Sequence, residues 1–521
     1  MFPPLARRLR LTYAPVMTTT GTSDRGKGLA GGQLGLIGST VMGLASTAPV
    51  YSLVATLGFV ITAVGFQAPI AFILAFVPMF FIAFAYRELN RAVPDCGTTF
   101  TWASKAFGPW VGWLGGWGVA VAGIVVLANL AQIAGIYFWL LLGQEELSQT
   151  VWVTTLTGVG FIVAMVYVSY RGIEIGERLQ NVLLGVQYLA LTLFVVLSFA
   201  SVLGTDPPAD AVLPSAEWFN PFAFASFDGF TEAILLALFI YWGWDTCLAL
   251  NEETKDPKTI PGRAALISTV VLVITYVLVT VAAMSFAGLA ALDGQDDVFL
   301  VVKDALFGPW AWLLVLSVLI SAVSSTQTTI LPTARGTLSM AVYNALPRRF
   351  ATVHPRFHTP SFSTLSMGVI SVVYYVAMTL ISENFLADSI YSLGLAIAFY
   401  YGLTGYACVW YFRRELFDST FNIVYKFLFP LLGALALTAA FIKSAIDMLD
   451  PDYGYTVIWG VGGVFVIGIG SLLFGGVLMV LWALFPGSTA FFRGKSLNAA
   501  TAVLVPEDDV VYGRSIDGGR V

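Results

Sequence analysis

The chain has 521 residues, of which 58% are hydrophobic and only 11% charged, with a mean hydropathy of +0.82. A water-soluble domain carries about 25% charged residues, so composition excludes a soluble enzyme and points to an integral membrane protein, with a lipid bilayer and not nucleic acid as its partner. The net charge of −5 says little by itself, because the charges are sorted by side of the membrane.

In chain order, residues 1–32 read as a cytosolic tail. The stretch from Met1 to Lys27 is basic, then rich in Ser, Thr and Gly. It has no apolar core followed by a cleavage site, so a removable signal peptide is not expected and the tail is read as loose. Between Gly28 and Tyr86 there is no Lys, Arg, Asp or Glu, which is room for two helices of about 20 residues each. The apolar runs predict twelve spans, near 33–61, 68–86, 113–142, 151–170, 181–203, 230–250, 264–289, 310–341, 361–381, 389–411, 427–447 and 457–484. A cytosolic tail at 486–521 completes the chain.

Placing the N-terminus inside puts every Lys and Arg except Lys303 and Lys443 on the cytosolic side, while outer loops are acidic, as at Glu145-Glu146 and Asp293 to Asp297. That split satisfies the positive-inside rule and places both termini in the cytoplasm of a cell with this protein in its plasma membrane. Cys96, Cys247 and Cys408 are scattered, so neither a disulfide framework nor a metal site is expected.

Two spans are interrupted. The first carries Gly43-Leu44-Ala45-Ser46-Thr47-Ala48-Pro49, and the sixth carries Tyr241-Trp242-Gly243-Trp244-Asp245. Unpaired backbone at membrane depth is tolerable only beside protein or a watery cavity, and an intramembrane acid is a candidate functional group. Broken helices at matching places in two halves point to an inverted-repeat transporter with its site between the breaks.

The string YWGWDTCLALNEETKDPKTIP, from Tyr241 to Pro261, resembles the sixth-helix signature of amino acid–polyamine–organocation transporters. Pro94-Asp95-Cys96-Gly97-Thr98-Thr99-Phe100-Thr101-Trp102 is similar to that family's loop after the second helix. Gly115-Gly116-Trp117, Thr333-Ala334-Arg335 through Leu346-Pro347, and Thr359-Pro360 match further pieces in order. The resemblance implies an all-α membrane fold of twelve helices. Ten of them, over 33–411, would form a five-plus-five inverted repeat (about 33–203 and 230–411), with two additional helices over 412–485. It also implies secondary active transport of amino acids or related amines by alternating access. A substrate carboxylate would sit by Ser46, Thr47 and Ala48, and its amine near carbonyls around Phe239 to Trp242.

Individual residues carry more than one reading. Trp242 and Trp244 line the site or pack between helices. Asp245 caps the second half-helix, or meets a cationic substrate or a proton. Asn129, one turn from Gln132, faces the site or bonds between helices. Ser321, Ser324, Ser325 and Thr326 bond back along their helix or, as the resemblance implies where sodium is used, hold the ion. Glu252 and Glu253, at the cytosolic end among Lys255, Lys258 and Arg263, are expected to form an inner salt-bridge cluster or gate rather than a substrate site. Gln187 occupies the place of a fifth-helix Lys in proton-coupled members, and Gln cannot titrate. The coupling ion is therefore H+, carried by another group such as Asp245, or Na+, or transport is by exchange or facilitation, and no cofactor is expected. His354 and His358 lie in a Pro-rich loop. A polyamine or cationic amino acid exchanger is the rival carrier, and a non-transport membrane protein the rival class. Against an enzyme, there is no nucleophile triad, phosphate loop or metal cluster.

Overall fold

The computed structural model describes residues 26–504, apart from 296, 382, 383, 385–387, 389 and 390 and the Asp228 side chain. Among these residues nearly all regular structure is helical. The helices used below are α1 (Leu36–Ser46), α2 (Pro49–Val64), α3 (Ala68–Ala92), α4 (Thr99–Phe107), α5 (Pro109–Leu141), α6 (Val151–Arg171), α7 (Ile173–Val202) and α8 (Phe227–Phe239). They continue with α9 (Thr246–Ala249), α10 (Ile260–Leu292), α11 (Val298–Phe307), α12 (Trp312–Val342), α13 (Ser361–Ile381), α14 (Leu393–Tyr411), α15 (Phe429–Asp447) and α16 (Gly463–Ala483).

Among the described residues, ten helical runs are long and apolar enough to cross a membrane. The first two expected spans merge into one run, Leu36–Ala92, of 57 residues, far more than the ~20 needed for one crossing. The expected sixth span is instead split, since α8 and α9 are each too short to cross. Three further spans differ from expectation in ways that bear on the fold. The fifth span begins early, at Ile173, directly after Gly172. The seventh is kinked at Gly288 (φ 67°, ψ 173°), where the chain passes against the Asp210 carbonyl. The twelfth does not begin as a helix: Val457–Ile458 pairs antiparallel with Val461–Gly462, and α16 starts only at Gly463.

The core is built by α5 packed along α12, α3 along α10 and α14 against α15. The outward faces of α13 and α16 keep Leu365, Val369, Val373, Leu473, Val477 and Leu481 exposed. A water-soluble protein would bury such stripes, whereas a bilayer accepts them. Thr359 donates to the Tyr170 carbonyl, His358 Nδ1 approaches the Gly28 carbonyl, and Arg87 lies against Gly262. These contacts bring the ends of α3 and α6 and the starts of α10 and α13 to one end of the bundle, called here the basic face. The segment after α16 docks on that face too, with Phe491 buried against Phe100 and Lys105 Nζ donating to the Asn498 and Thr501 carbonyls.

Candidate functional site

The first break is a single left-handed residue. Ala48 has φ 48° and ψ 64°, and Pro49 opens α2 behind it. Proline disfavours helical backbone at the residue before it and suits the first turn of the next helix, so the sequence favours an interruption here, whereas Pro78 and Pro332 are accommodated inside α3 and α12. Hydroxyls tie the loose ends. Thr47 Oγ1 donates to the Leu44 carbonyl (2.7 Å), Ser52 Oγ to the Thr47 carbonyl (2.6 Å), and Ser325 Oγ, from α12, to the Ser46 carbonyl (2.9 Å). The Tyr51 amide donates to Ser321 Oγ at 3.2 Å.

The second break runs from Ile240 to Asp245, with Gly243 at φ 112°. It lies directly against the first: Ser46 Oγ and Thr246 Oγ1 are 2.8 Å apart, and a Cβ on Gly243 would sit 2.8 Å from the Ser46 carbonyl oxygen. Aromatics surround the second break. Tyr241 is buried and donates to the Phe72 carbonyl (3.0 Å). The Trp242 indole N–H donates to the Tyr400 hydroxyl, and Trp242 alone of the two tryptophans keeps part of its surface accessible. Trp244 is fully buried, stacked on Tyr401 at 5.3 Å and edge-on to Tyr86 at 5.2 Å. Its position is that of a packing residue.

Asp245 is placed at the start of α9, but its side chain makes no capping hydrogen bond. The capping reading is therefore corrected. The carboxylate instead accepts from the Tyr401 hydroxyl (2.8 Å) and the Tyr400 hydroxyl (3.5 Å). Tyr401 in turn accepts the Gly243 amide (3.3 Å), so α14 holds the glycine and the acid together. α9 is a single turn, and the two tyrosines offer stronger acidic O–H donors than its amides. Among the described residues no Lys, Arg or His forms an ion pair with Asp245.

Other expected site residues divide. Asn129 accepts from the Tyr51 hydroxyl and so bonds across helices to the segment just after the first break. Gln132 lines a separate small cavity of about 70 Å³ with Ser148, Thr154, Thr155 and Thr379. Ser325 reaches the first break, whereas Ser324 turns to Gln180 of α7. Gln187 is fully buried, and neither of its amide atoms has a hydrogen-bond partner.

Below the breaks, the basic face is sealed by buried charge. Arg335 grips Glu253 with two hydrogen bonds, 2.6 Å from Nε and 2.8 Å from Nη2. Lys27 Nζ sits between Asp95 Oδ2 (2.8 Å) and Glu252 Oε1. The Gln33 and Leu34 amides donate to the Glu253 carbonyl, and the Lys255 amide to the Leu34 carbonyl. Burial works against the Lys27 ammonium, but Asp95 with its neighbours outweighs it and raises the pKa. Burial also works against an ionised Asp95, yet Lys27 and bonds from Ser339 and Gly97 hold that carboxyl below the usual range. For Glu252 burial prevails, and its pKa is raised.

A model of the family described as "Amino acid permease" matches residues 34–469. The chain belongs to the amino acid permease family. The permease is thus an integral membrane transporter with an all-α fold. It is 27% identical to an uncharacterised transporter of Mycobacterium tuberculosis, over 65% of this chain and 72% of the relative. It is 24% identical to a low-affinity putrescine importer of Escherichia coli, over 79% and 88%. A branched-chain amino acid permease of Bacillus subtilis is 22% identical, over 58% and 66%.

Sequence reasoning missed several residues of the permease's central region. Tyr51, Tyr400 and Tyr401 lie in apolar runs where tyrosine looks like packing, and only the pairing of α14 with the second break reveals their hydroxyls. The Glu252–Glu253 cluster was expected, but with the wrong cations: Lys27 and Arg335 supply the charge, not Lys255, Lys258 or Arg263. Lys27 was assigned to a loose tail, but its side chain is buried between Asp95, Glu252 and Tyr343.

Proposed function

We propose that the permease is a secondary active transporter of amino acids or related amines in the plasma membrane, working by alternating access around the two breaks. The observation that carries this reading is the direct contact of the breaks, Ser46 with Thr246 and Ser46 with Gly243. A zwitterion suits such a place. Its carboxylate is assigned to the start of α2 beside Ser46, Thr47 and Ala48, where helix amides and the dipole favour negative charge. Its amine is assigned to the carbonyls at the end of α8 and to Asp245, with Trp242 closing over it. In this reading Tyr241, Trp244 and Asn129 shape the site from behind. Ser324, Ser325 and Gln187 belong to the coupling pathway, with H+ or Na+ as the ion.

The basic face is proposed to be cytoplasmic, with both termini inside and net import as the direction. Residues 33–411 form the ten-helix transport core in this scheme, with repeats at about 33–203 and 230–411, and 412–485 supply two peripheral helices.

A second reading, a polyamine or cationic amino acid exchanger, is favoured by one feature: among the described residues the Asp245 carboxylate has hydroxyl partners but no cationic one. A thermal-shift screen of the purified protein against amino acids and amines, with and without sodium, tests both readings. A ligand that binds the folded state raises its apparent stability by mass action. Shifts with zwitterions support the first reading, and shifts confined to diamines the second. No shift with any compound counts against transport of this class.

A further inference from the structure

The charge cluster on the basic face contains a complete binding cage whose occupant is borrowed from another part of the chain. Lys27 lies ahead of α1, in a segment with Gly26, Gly28 (φ 82°) and Gly32 (φ 73°) around it. Its ammonium is enclosed on all sides. It donates to Asp95 Oδ2 and Glu252 Oε1 and faces the Tyr343 ring, 5.7 Å from the centroid. The walls come from three other places: the loop after α3, the turn after α9 and the end of α12.

The walls are organised independently of Lys27. Asp95 Oδ1 accepts from the Gly97 amide (2.8 Å), Thr101 (2.8 Å) and Ser339 (2.7 Å), and Oδ2 accepts from Tyr343 (2.9 Å). The Cys96 amide holds Glu252 Oε1 at 2.9 Å. Glu252 Oε2 is buried and has no hydrogen-bond partner among the described residues. An array of carboxylate acceptors beside an aromatic face, with one acceptor site spare, matches the three donors and compact charge of a primary ammonium. Two carboxyl groups therefore face one ammonium.

A metal ion suits the cage less well. Asp95, Cys96 and Glu252 can bring one ligand atom each within 4.8 Å of one another. The Cys96 thiol, however, points its hydrogen to the Arg335 carbonyl (3.5 Å), and burial together with Glu252 keeps it protonated. Metals of the kind that take cysteine bind the thiolate.

We propose that the cage of Asp95, Glu252 and Tyr343 is a binding site for a primary ammonium. Lys27 fills it here, and the amine of the cargo takes it when the Lys27 segment withdraws. The second half of that statement rests on the reading above that the cargo carries an amine. Glu252 lies further along the same broken segment as Asp245, which puts the cage on the basic-face side of the second break. Lys27 then acts as a tethered competitor, and the exit is open only while it is displaced.

The test uses the full-length Lys27→Ala protein in detergent and n-propylammonium, which replaces the side chain removed. Thermal unfolding is followed with increasing n-propylammonium. The expected result is a saturable rise in Tm of about 2 °C or more beyond any rise in wild type. That additional rise should vanish in Lys27→Ala/Glu252→Gln and be absent with tetramethylammonium, which has no N–H to donate. Lys27→Ser, which leaves the same space, is the second variant should Lys27→Ala fail to fold. Equal shifts in wild type and both Lys27 variants overturn the proposal. So does a shift given by Zn2+ or Mg2+ and not by n-propylammonium. If the additional shift appears while no amino acid or amine shifts wild type, the cage stands and the transport reading falls.

Discussion

The Tyr401 hydroxyl donates to Asp245 at 2.8 Å while accepting the Gly243 amide at 3.3 Å, so one side chain of α14 holds both the glycine and the acid of the second break. Tyr401→Phe removes both bonds and leaves a buried carboxylate short of its nearest donor. The cost is expected at about 1–3 kcal/mol, read as a lower Tm, with a clear loss of uptake. Tyr400→Phe, whose contact with Asp245 is 3.5 Å, should have the smaller effect. Equal effects would show that the shorter bond is not the one that matters.

Asp245→Asn separates charge from hydrogen bonding. The amide oxygen still accepts from Tyr401, and since the side chain makes no cap bond, no helix start is lost. The protein should fold and reach the membrane, with binding of cationic amines reduced more than binding of zwitterions in a thermal-shift panel. Unchanged amine binding would remove Asp245 from the substrate site.

Gly243→Ala should abolish uptake in proteoliposomes without preventing membrane insertion. Its Cβ would lie 2.8 Å from a backbone oxygen of the first break, and φ is 112°. Neither the Ser46 carbonyl nor a side chain at that φ can adjust cheaply. Wild-type uptake by Gly243→Ala would defeat the claim that the breaks must touch.

Breaking the bidentate Arg335–Glu253 pair leaves one charge buried and alone. Arg335→Met is expected to cost about 3–5 kcal/mol in thermal or denaturant unfolding. Arg335→Met/Glu253→Gln should recover much of that loss, because neither charge is then stranded. A double variant no more stable than the single one would show that packing, not charge, is what Arg335 supplies.

Asp297 introduces a pH dependence on the face opposite Lys27. It accepts from the Tyr137 hydroxyl and from the Phe299 and Leu300 amides at the start of α11. Burial raises its pKa from 3.8 to about 6. The folded state then holds the proton more tightly than the unfolded chain. The resulting stability is fully present below the unfolded value and is lost as pH rises through about 6. Asn also caps helices and does not titrate. The Tm of wild type relative to Asp297→Asn should therefore fall between about pH 4 and about pH 6, and a constant difference would refute the assignment.

The sequence alone determined the medium, the helical class and the positions of both interruptions. A helix satisfies its whole backbone within one segment in lipid, the Ala48-Pro49 step disfavours helical backbone at Ala48, and Gly243 adopts its positive φ without a Cβ to clash. Those are properties of neighbouring residues, and they can be read along the chain. What lies across the breaks was not legible. Tyr401 meets Asp245 from more than 150 residues away, and nothing in a run of apolar residues marks which tyrosine will turn its hydroxyl inward. The same holds for Lys27, whose charge is cheap in a tail and becomes decisive only when folding removes water from it. Tertiary structure chose the partners, because the energy of a buried charge depends on what surrounds it and not on what precedes it in sequence.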